Sequence, residues 1–278
     1  MDLVETNNSS PEYDSARRGP VALEELRGLF VFRDLIYQLV RRDIISRYKR
    51  SALGIAWTML NPLGMMLVLS VVFSQLFHTV PGYPAYILSG LIPWNFFAQT
   101  TSAAMSQMIW GSSLLQRIYL PRTAFVVSAI GTGLVNLILS LVPLILITVL
   151  VGVPLSWAIL FLPVPILLLS AFALGIGLLF SAWTIYFPDL TEMYQVALVA
   201  WMYLTPIIYP LEIIPTRLAF WFHLNPMFYL VQVFRLPIYQ GVLPPWHIWL
   251  PAVLISLSTL ALGWFVFCSR ADDFTYRI

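Results

Sequence analysis

Residues 51–116 read SALGIAWTMLNPLGMMLVLSVVFSQLFHTVPGYPAYILSGLIPWNFFAQTTSAAMSQMIWGSSLLQ, and this run of 66 residues contains no Asp, Glu, Lys or Arg. It is long enough for two membrane-spanning helices of about 20 residues and a short turn. A charge at the centre of a spanning helix costs roughly 2.5–3.5 kcal/mol on insertion scales, so long charge-free runs mark spans. A second 66-residue gap runs from Thr123 to Pro188, and a third, of 34 residues, from Leu236 to Ser269. Over all 278 residues, 59% are hydrophobic and 10% charged, with a mean hydropathy of +0.82. Soluble domains carry about 25% charged residues. No soluble fold of this size has interior enough for so much apolar surface. The chain is therefore expected to be an all-α polytopic membrane protein.

Six transmembrane helices can be drawn: about Ile55–Phe77, Ile87–Ile109, Phe125–Val151, Trp157–Tyr186, a short one at Met193–Ile208, and His247–Phe267. Gly152, Val153 and Pro154 form a tight turn between the third and fourth. Residues 1–30 are expected to be a flexible cytosolic tail, 31–50 an interface helix, 51–270 the transmembrane domain and 271–278 a cytosolic tail. Residues 1–20 hold Asp2, Glu5, Glu12 and Asp14 and lack the apolar core of a cleavable signal. The single cysteine, Cys268, excludes an intrachain disulfide and reads as packing.

Nine Lys and Arg precede the first span, two (Arg117 and Arg122) lie between the second and third, and two (Arg270 and Arg277) follow the sixth. With six spans these 13 of 15 cations share one side, and only Arg217 and Arg235 fall on the other. The positive-inside rule puts the 13 and both termini in the cytosol.

From Val31 to Arg50 apolar residues recur near helical spacing (Phe32, Leu35, Ile36, Leu39, Val40, Ile44, Ile45), with Arg33, Asp34, Gln38, Arg41, Arg42 and Arg47 opposite. Such a helix lies in the headgroup plane. It reads as an anchor, or as an anchor that also docks a partner. Between the fifth and sixth spans, the apolar blocks Leu218–Leu224 and Met227–Phe234 are too short to cross. They read as re-entrant helices in the outer leaflet. Non-helical backbone at that depth must be buried in protein or line a wet cavity, which hints at an exit path.

The chemistry of an energy source is missing. Lys49 is the only lysine and has no P-loop around it. His78, His223 and His247 form no metal-binding spacing, and no nucleophile elbow or CxxC is present. The first four spans contain no titratable Asp, Glu or His for ion coupling. Interfacial aromatics such as Trp57, Trp94, Phe97, Tyr203 and Tyr209 read as a membrane belt, or as a conduit whose rings pack on the C–H faces of sugars.

Four segments in order carry a resemblance: Arg47–Trp57 followed by Asn61-Pro62; Gly90–Phe97; Leu114–Arg122; and Thr205–Pro210 followed by Asn225-Pro226. They resemble the type-2 ABC exporter permeases for O-antigen, capsule and teichoic-acid polymers. One departure is Pro188 before Asp189, where that family often has Arg. The resemblance implies a permease subunit in the bacterial cytoplasmic membrane that moves a lipid-linked polymer and works as a homodimer. It implies two copies of a separate ATPase that hold the ATP and Mg, with no cofactor on this chain and no nucleic-acid partner. By the same resemblance, ATPase contact falls to Arg41, Arg42, Arg47, Arg117, Tyr119, Pro121, Arg122 and Asp189. The polymer path falls to Trp57, Trp94, Phe97, Tyr203, Tyr209 and Arg235. The residues alone leave two alternatives, a polytopic membrane enzyme and an ion-coupled flippase, and the two long charge-free runs disfavour both.

Overall fold

A computed structural model describes residues 21–49, 51, 53–115 and 121–270, and among these residues all regular structure is helical. Ten α-helices are formed: α1 (Val21–Val31), α2 (Arg33–Tyr48), α3 (Ala56–Phe73), α4 (Tyr83–Leu115), α5 (Thr123–Leu150), α6 (Pro163–Thr184), α7 (Leu190–Tyr203), α8 (Thr216–His223), α9 (Pro226–Arg235) and α10 (Trp246–Arg270). A 3-10 turn, Trp157–Phe161, leads into α6, and a π turn, Leu236–Gln240, follows α9.

Among the described residues four segments are long and apolar enough to cross a membrane: Ala56–Phe73, Thr123–Leu150, Trp157–Thr184 and Trp246–Arg270. At 33 residues α4 would extend about 50 Å, but Gln99, Thr100, Thr101, Ser102, Ser106 and Gln107 dilute its apolar character. The 14 residues of α7 reach only about 21 Å, short of a ~30 Å hydrocarbon core. Its helix stops at Tyr203, five residues before the expected end, because Pro206 cannot donate a backbone hydrogen bond. At the tight turn between α5 and the 3-10 segment, Gly152 takes φ +81°, a conformation that costs glycine little.

The fold departs from the sequence reading at its start. Residues 21–30 are helical rather than a flexible tail, and α1 breaks from α2 at Phe32. An 11-residue helix is marginal alone, and this one is held by tertiary contacts described below. The 1–20 and 271–278 tails lie outside the described residues.

Helix α4 sits centrally, against α3, α5, α6, α7 and α9, while α6 and α10 form the most extensive pair. Glycines bring that pair together. A methyl added at Gly175 would stand 2.5 Å from the Thr259 carbonyl oxygen, and one at Gly263 would strike the backbone of Gly175. Close backbone approach through small residues drives helix association where no hydrophobic effect operates between apolar helices.

Candidate functional site

Three polar arrangements stand out in a chain this apolar. The first joins α4, the end of α7 and α9. Beyond Tyr203 the backbone unwinds through Thr205, Pro206, Ile207, Ile208 and Tyr209, exposing carbonyls that a helix would satisfy. Four in a row are taken by side chains. Arg235 donates from Nη1 to Pro206 at 3.0 Å and from Nη2 to Ile207 at 3.1 Å. The Tyr83 hydroxyl donates to Ile208 at 2.8 Å and the Tyr86 hydroxyl to Tyr209 at 2.9 Å. Arg235 is 1% exposed, its Nε points to Ser89 Oγ at 3.3 Å, and its guanidinium lies 3.9 Å from the Tyr86 ring centroid. A cation buried this deeply requires every donor to be used, and carbonyl dipoles plus an aromatic face supply that here.

Asn225 completes this staple. Its Oδ1 accepts from Met227 N at 3.0 Å as the N-cap of α9 and from Trp201 Nε1 at 2.7 Å. Its Nδ2 donates to Leu204 O at 3.1 Å and Thr205 Oγ1 at 2.9 Å. The Asn-Pro pair thus has a local reason, a cap followed by proline at the first helical position, and a tertiary one.

The second arrangement is a cleft between α3, α4 and α5, open to α2. Two neighbouring cavities of about 280 and 360 Å³ share Arg47, Gln99, Gly133 and Asn136 in their linings. Along α4, Asn95, Gln99, Ala103 and Gln107 recur every four residues and line one side. Along α5, Thr132, Asn136 and Ser140 line the other, with Trp57, Thr58 and Asn61 from the start of α3. Asn95 is twelve residues, about 18 Å, from one end of α4, and Asn136 thirteen, about 20 Å, from the opposite end of α5. The cleft therefore runs from α2 and the first turns of α3 to the middle of α5.

The third arrangement docks α1 and α2 onto the bundle. Asp43 Oδ2 accepts from Gln107 Nε2 at 2.6 Å, and Ser128 Oγ donates to Gln107 Oε1 at 3.0 Å. One acidic residue of α2 is thereby tied to α4 and α5 together. Its other oxygen pairs with Arg42 at 3.1 Å. On α1, Glu25 Oε2 accepts from Thr123 Oγ1 at 2.7 Å and Thr123 N at 3.3 Å, capping the start of α5. A carboxylate at a helix N-terminus is stabilising. One turn on, Gly28 lies against Pro121: a methyl there would meet Pro121 Cβ at 3.0 Å.

These arrangements redistribute the residues expected from sequence. Arg41, Arg42 and Arg47 are exposed on α2, but Arg47 also lines the cleft. Pro121 is buried under α1, Arg122 immediately precedes α5, and Asp189 is exposed at the start of α7. Arg117 and Tyr119 lie outside the described residues. Of the expected polymer path, Trp57 lines the cleft and Tyr203 is exposed. Trp94 and Phe97, 3% and 0% exposed, are instead core residues. Their rings pack with Trp201 and Phe172 at centroid distances of 5.2–6.2 Å. Arg235 and the half-buried Tyr209, whose hydroxyl donates to Tyr203 O at 2.8 Å, belong to the staple. The unwound segment is buried in protein. Glu25, Asp43, Gln99 and Asn136 are not singled out by the sequence, and Asn61, Asn95 and Asn225 enter there only as part of the resemblance. The four-residue spacing Asn95, Gln99, Ala103, Gln107 inside a charge-free run was the available signal.

Residues 34–239 match the ABC-2 type transporter family. The chain is 29% identical over 256 residues to the O-antigen export system permease protein RfbA of Myxococcus xanthus, covering 91% of this chain and 98% of that one. It is 24% identical over 215 residues to a protein of the same name from Klebsiella pneumoniae, covering 76% and 82%. It is 23% identical over 258 residues to the polysialic acid transport protein KpsM of Escherichia coli, covering 88% and 96%.

Proposed function

The chain belongs to the ABC-2 type transporter family, and from that premise we propose that it is the permease of an exporter for a lipid-linked O-antigen-like or capsule-like polysaccharide, or a teichoic-acid polymer. It is a transport subunit without a nucleotide-binding domain, and the family's ATPase is a separate partner. Two ATPase copies, with their ATP and Mg, work on a homodimer in the bacterial cytoplasmic membrane. In this reading α3, α4, α5, Trp157–Thr184, α7 and α10 are the six spans. α8 and α9 are re-entrant from the outer side, and α1 and α2 lie on the cytosolic face with both termini. The names of the relatives support the polysaccharide substrate.

The observation that carries the reading is the two-sided character of α2. Arg41 and Arg42 face outward, while Asp43 is bonded into α4 and α5. A helix gripped by two spans and presenting cations to the cytosol can pass a partner's closure to those spans as rigid-body motion. Guanidinium groups also fit carboxylates bidentately. The test is export in inside-out vesicles. The chain alone should hydrolyse no ATP and move no polymer, and the complex with its ATPase should do both. Replacing Arg41 and Arg42 with Gln should leave the chain inserted and lower export at least about tenfold. Unchanged export in that variant would reduce α2 to an anchor, and export by the chain alone would overturn the reading.

A further inference from the structure

Residues 185–189 join α6 to α7, yet α7 packs more on α4 than on α6. Between α6 and α7 lies a groove of about 540 Å³, lined by four aromatic residues, Phe180, Trp183, Tyr186 and Phe187, together with Met193 and Asp189. Much of its apolar surface is uncovered: Trp183 is 39% exposed, Phe187 62% and Met193 67%. Two of the rings also carry a cation from a third helix. The guanidinium of Arg270, in the last turn of α10, lies 4.0 Å from the Trp183 ring centroid and 5.4 Å from that of Tyr186. Neither Arg270 nor Asp189 has a salt-bridge partner among the described residues. One acid and one base thus stand at the same aromatic groove. Trp157–Thr184 and Trp246–Arg270, both long enough to cross a membrane, end there, which puts the groove at headgroup level.

We propose that this groove binds a zwitterionic aminophospholipid, its ammonium toward Asp189, its phosphate toward Arg270 and an acyl chain along the apolar wall. A guanidinium fits a phosphate bidentately. An ammonium is attracted both by a carboxylate and by aromatic faces. The charges decide between occupants. A purely anionic headgroup would meet Asp189 with like charge, and a purely apolar occupant would leave both charges unused. A primary ammonium also donates hydrogen bonds to the carboxylate, which a trimethylammonium cannot do. The lipid fills the wedge between α6 and α7 and ties both to the end of α10. The assignment goes beyond the transport reading and does not depend on it. It gives Asp189 a partner other than the ATPase that the resemblance implies.

The test uses the complex of the full chain with its ATPase, stripped of lipid in detergent. It is titrated with short-chain phosphatidylethanolamine, phosphatidylcholine or phosphatidylglycerol, and bound lipid is counted by native mass spectrometry. Phosphatidylethanolamine should be retained at least about fivefold better than either of the others. Asp189→Asn should erase its advantage over phosphatidylglycerol. Arg270→Gln should lower retention of all three at least about fivefold, and Arg270→Lys should recover part of it. Glu192→Gln, close by on α7 but outside the lining, should leave the order unchanged. Equal retention of the three lipids, a preference for phosphatidylglycerol, or a preference untouched by Asp189→Asn would each overturn the assignment. A second measurement asks whether protein fills the groove instead. In a Cys268→Ser background, Phe187→Cys should react with a maleimide at a rate that phosphatidylethanolamine lowers and ATPase binding does not. Protection by the ATPase without lipid, or a cysteine that never reacts because a second copy of the chain covers it, would also overturn the assignment. The permease reading fails on a different result, polymer export that persists when the gene is deleted.

Discussion

Two regions of this bundle place polar groups among apolar helices and treat them in opposite ways. Around residues 204–209 the carbonyls find donors: Asn225 supplies Leu204, and Arg235, Tyr83 and Tyr86 supply 206–209. Around Asn95, Gln99 and Asn136 the amides have none among the described residues. The difference teaches how to tell stapling from service. A satisfied polar network rigidifies what it joins. An unsatisfied one at the same depth is tolerable only against water or a ligand. Polarity alone, which both regions share, does not distinguish them.

The comparison can be broken by substitution, and the effects should fall in a definite order. Arg235→Met should be the most damaging to stability. It strips the donors from two buried carbonyls, each costing about 1–3 kcal/mol when left bare. Thermal unfolding in detergent should shift down by many degrees, and membrane yield should fall. If that variant unfolds like the parent, the staple is not what holds α9. Asn225→Ala should come next, losing a cap worth about 0.5–2 kcal/mol and leaving Trp201 without its acceptor. Intrinsic fluorescence of Trp201 should change with it, and an unaltered melt together with an unaltered spectrum would contradict the assigned geometry.

Cleft and docking substitutions should barely register in the same melt. Asp43→Asn keeps an acceptor for Gln107 but removes the charge that pairs with Arg42. A pair this exposed on one side is worth about 1 kcal/mol or less. The expected result is a near-parental melt with ATP hydrolysis less tightly linked to export. Glu25→Gln should behave alike and more weakly, because an amide oxygen still caps Thr123. A large drop in stability for either would mean that α1 and α2 are structural props rather than a coupling device.

Particular residues show how far the sequence carried. The charge-free runs, the six apolar segments, the amphipathic pattern of 31–50 and the lack of a P-loop motif are properties of residue type and spacing, and they are legible without coordinates. So were the short blocks that became α8 and α9, since a helix of 8 or 10 residues cannot cross a bilayer wherever it packs. The aromatics were not legible. Trp57 and Trp94 carry the same side chain, yet one lies at an open cleft and the other inside a ring cluster. Helix α1 was missed because its local signal is marginal and its contacts are distant in sequence, with α10 and with Thr123, 98 positions from Glu25.

What the chain determined by itself is therefore its solvent: which segments prefer lipid, which ends carry cations, and which energy-coupling chemistry it lacks. These follow from transfer free energies that each residue brings with it, whatever its neighbours. Only the tertiary structure decided which polar residues are partnered. A hydrogen bond needs two groups within about 3 Å, and Arg235 meets Ser89 across 146 positions of sequence. Tertiary packing likewise brings Asn95, Gln99 and Asn136, from two helices, to one open cleft.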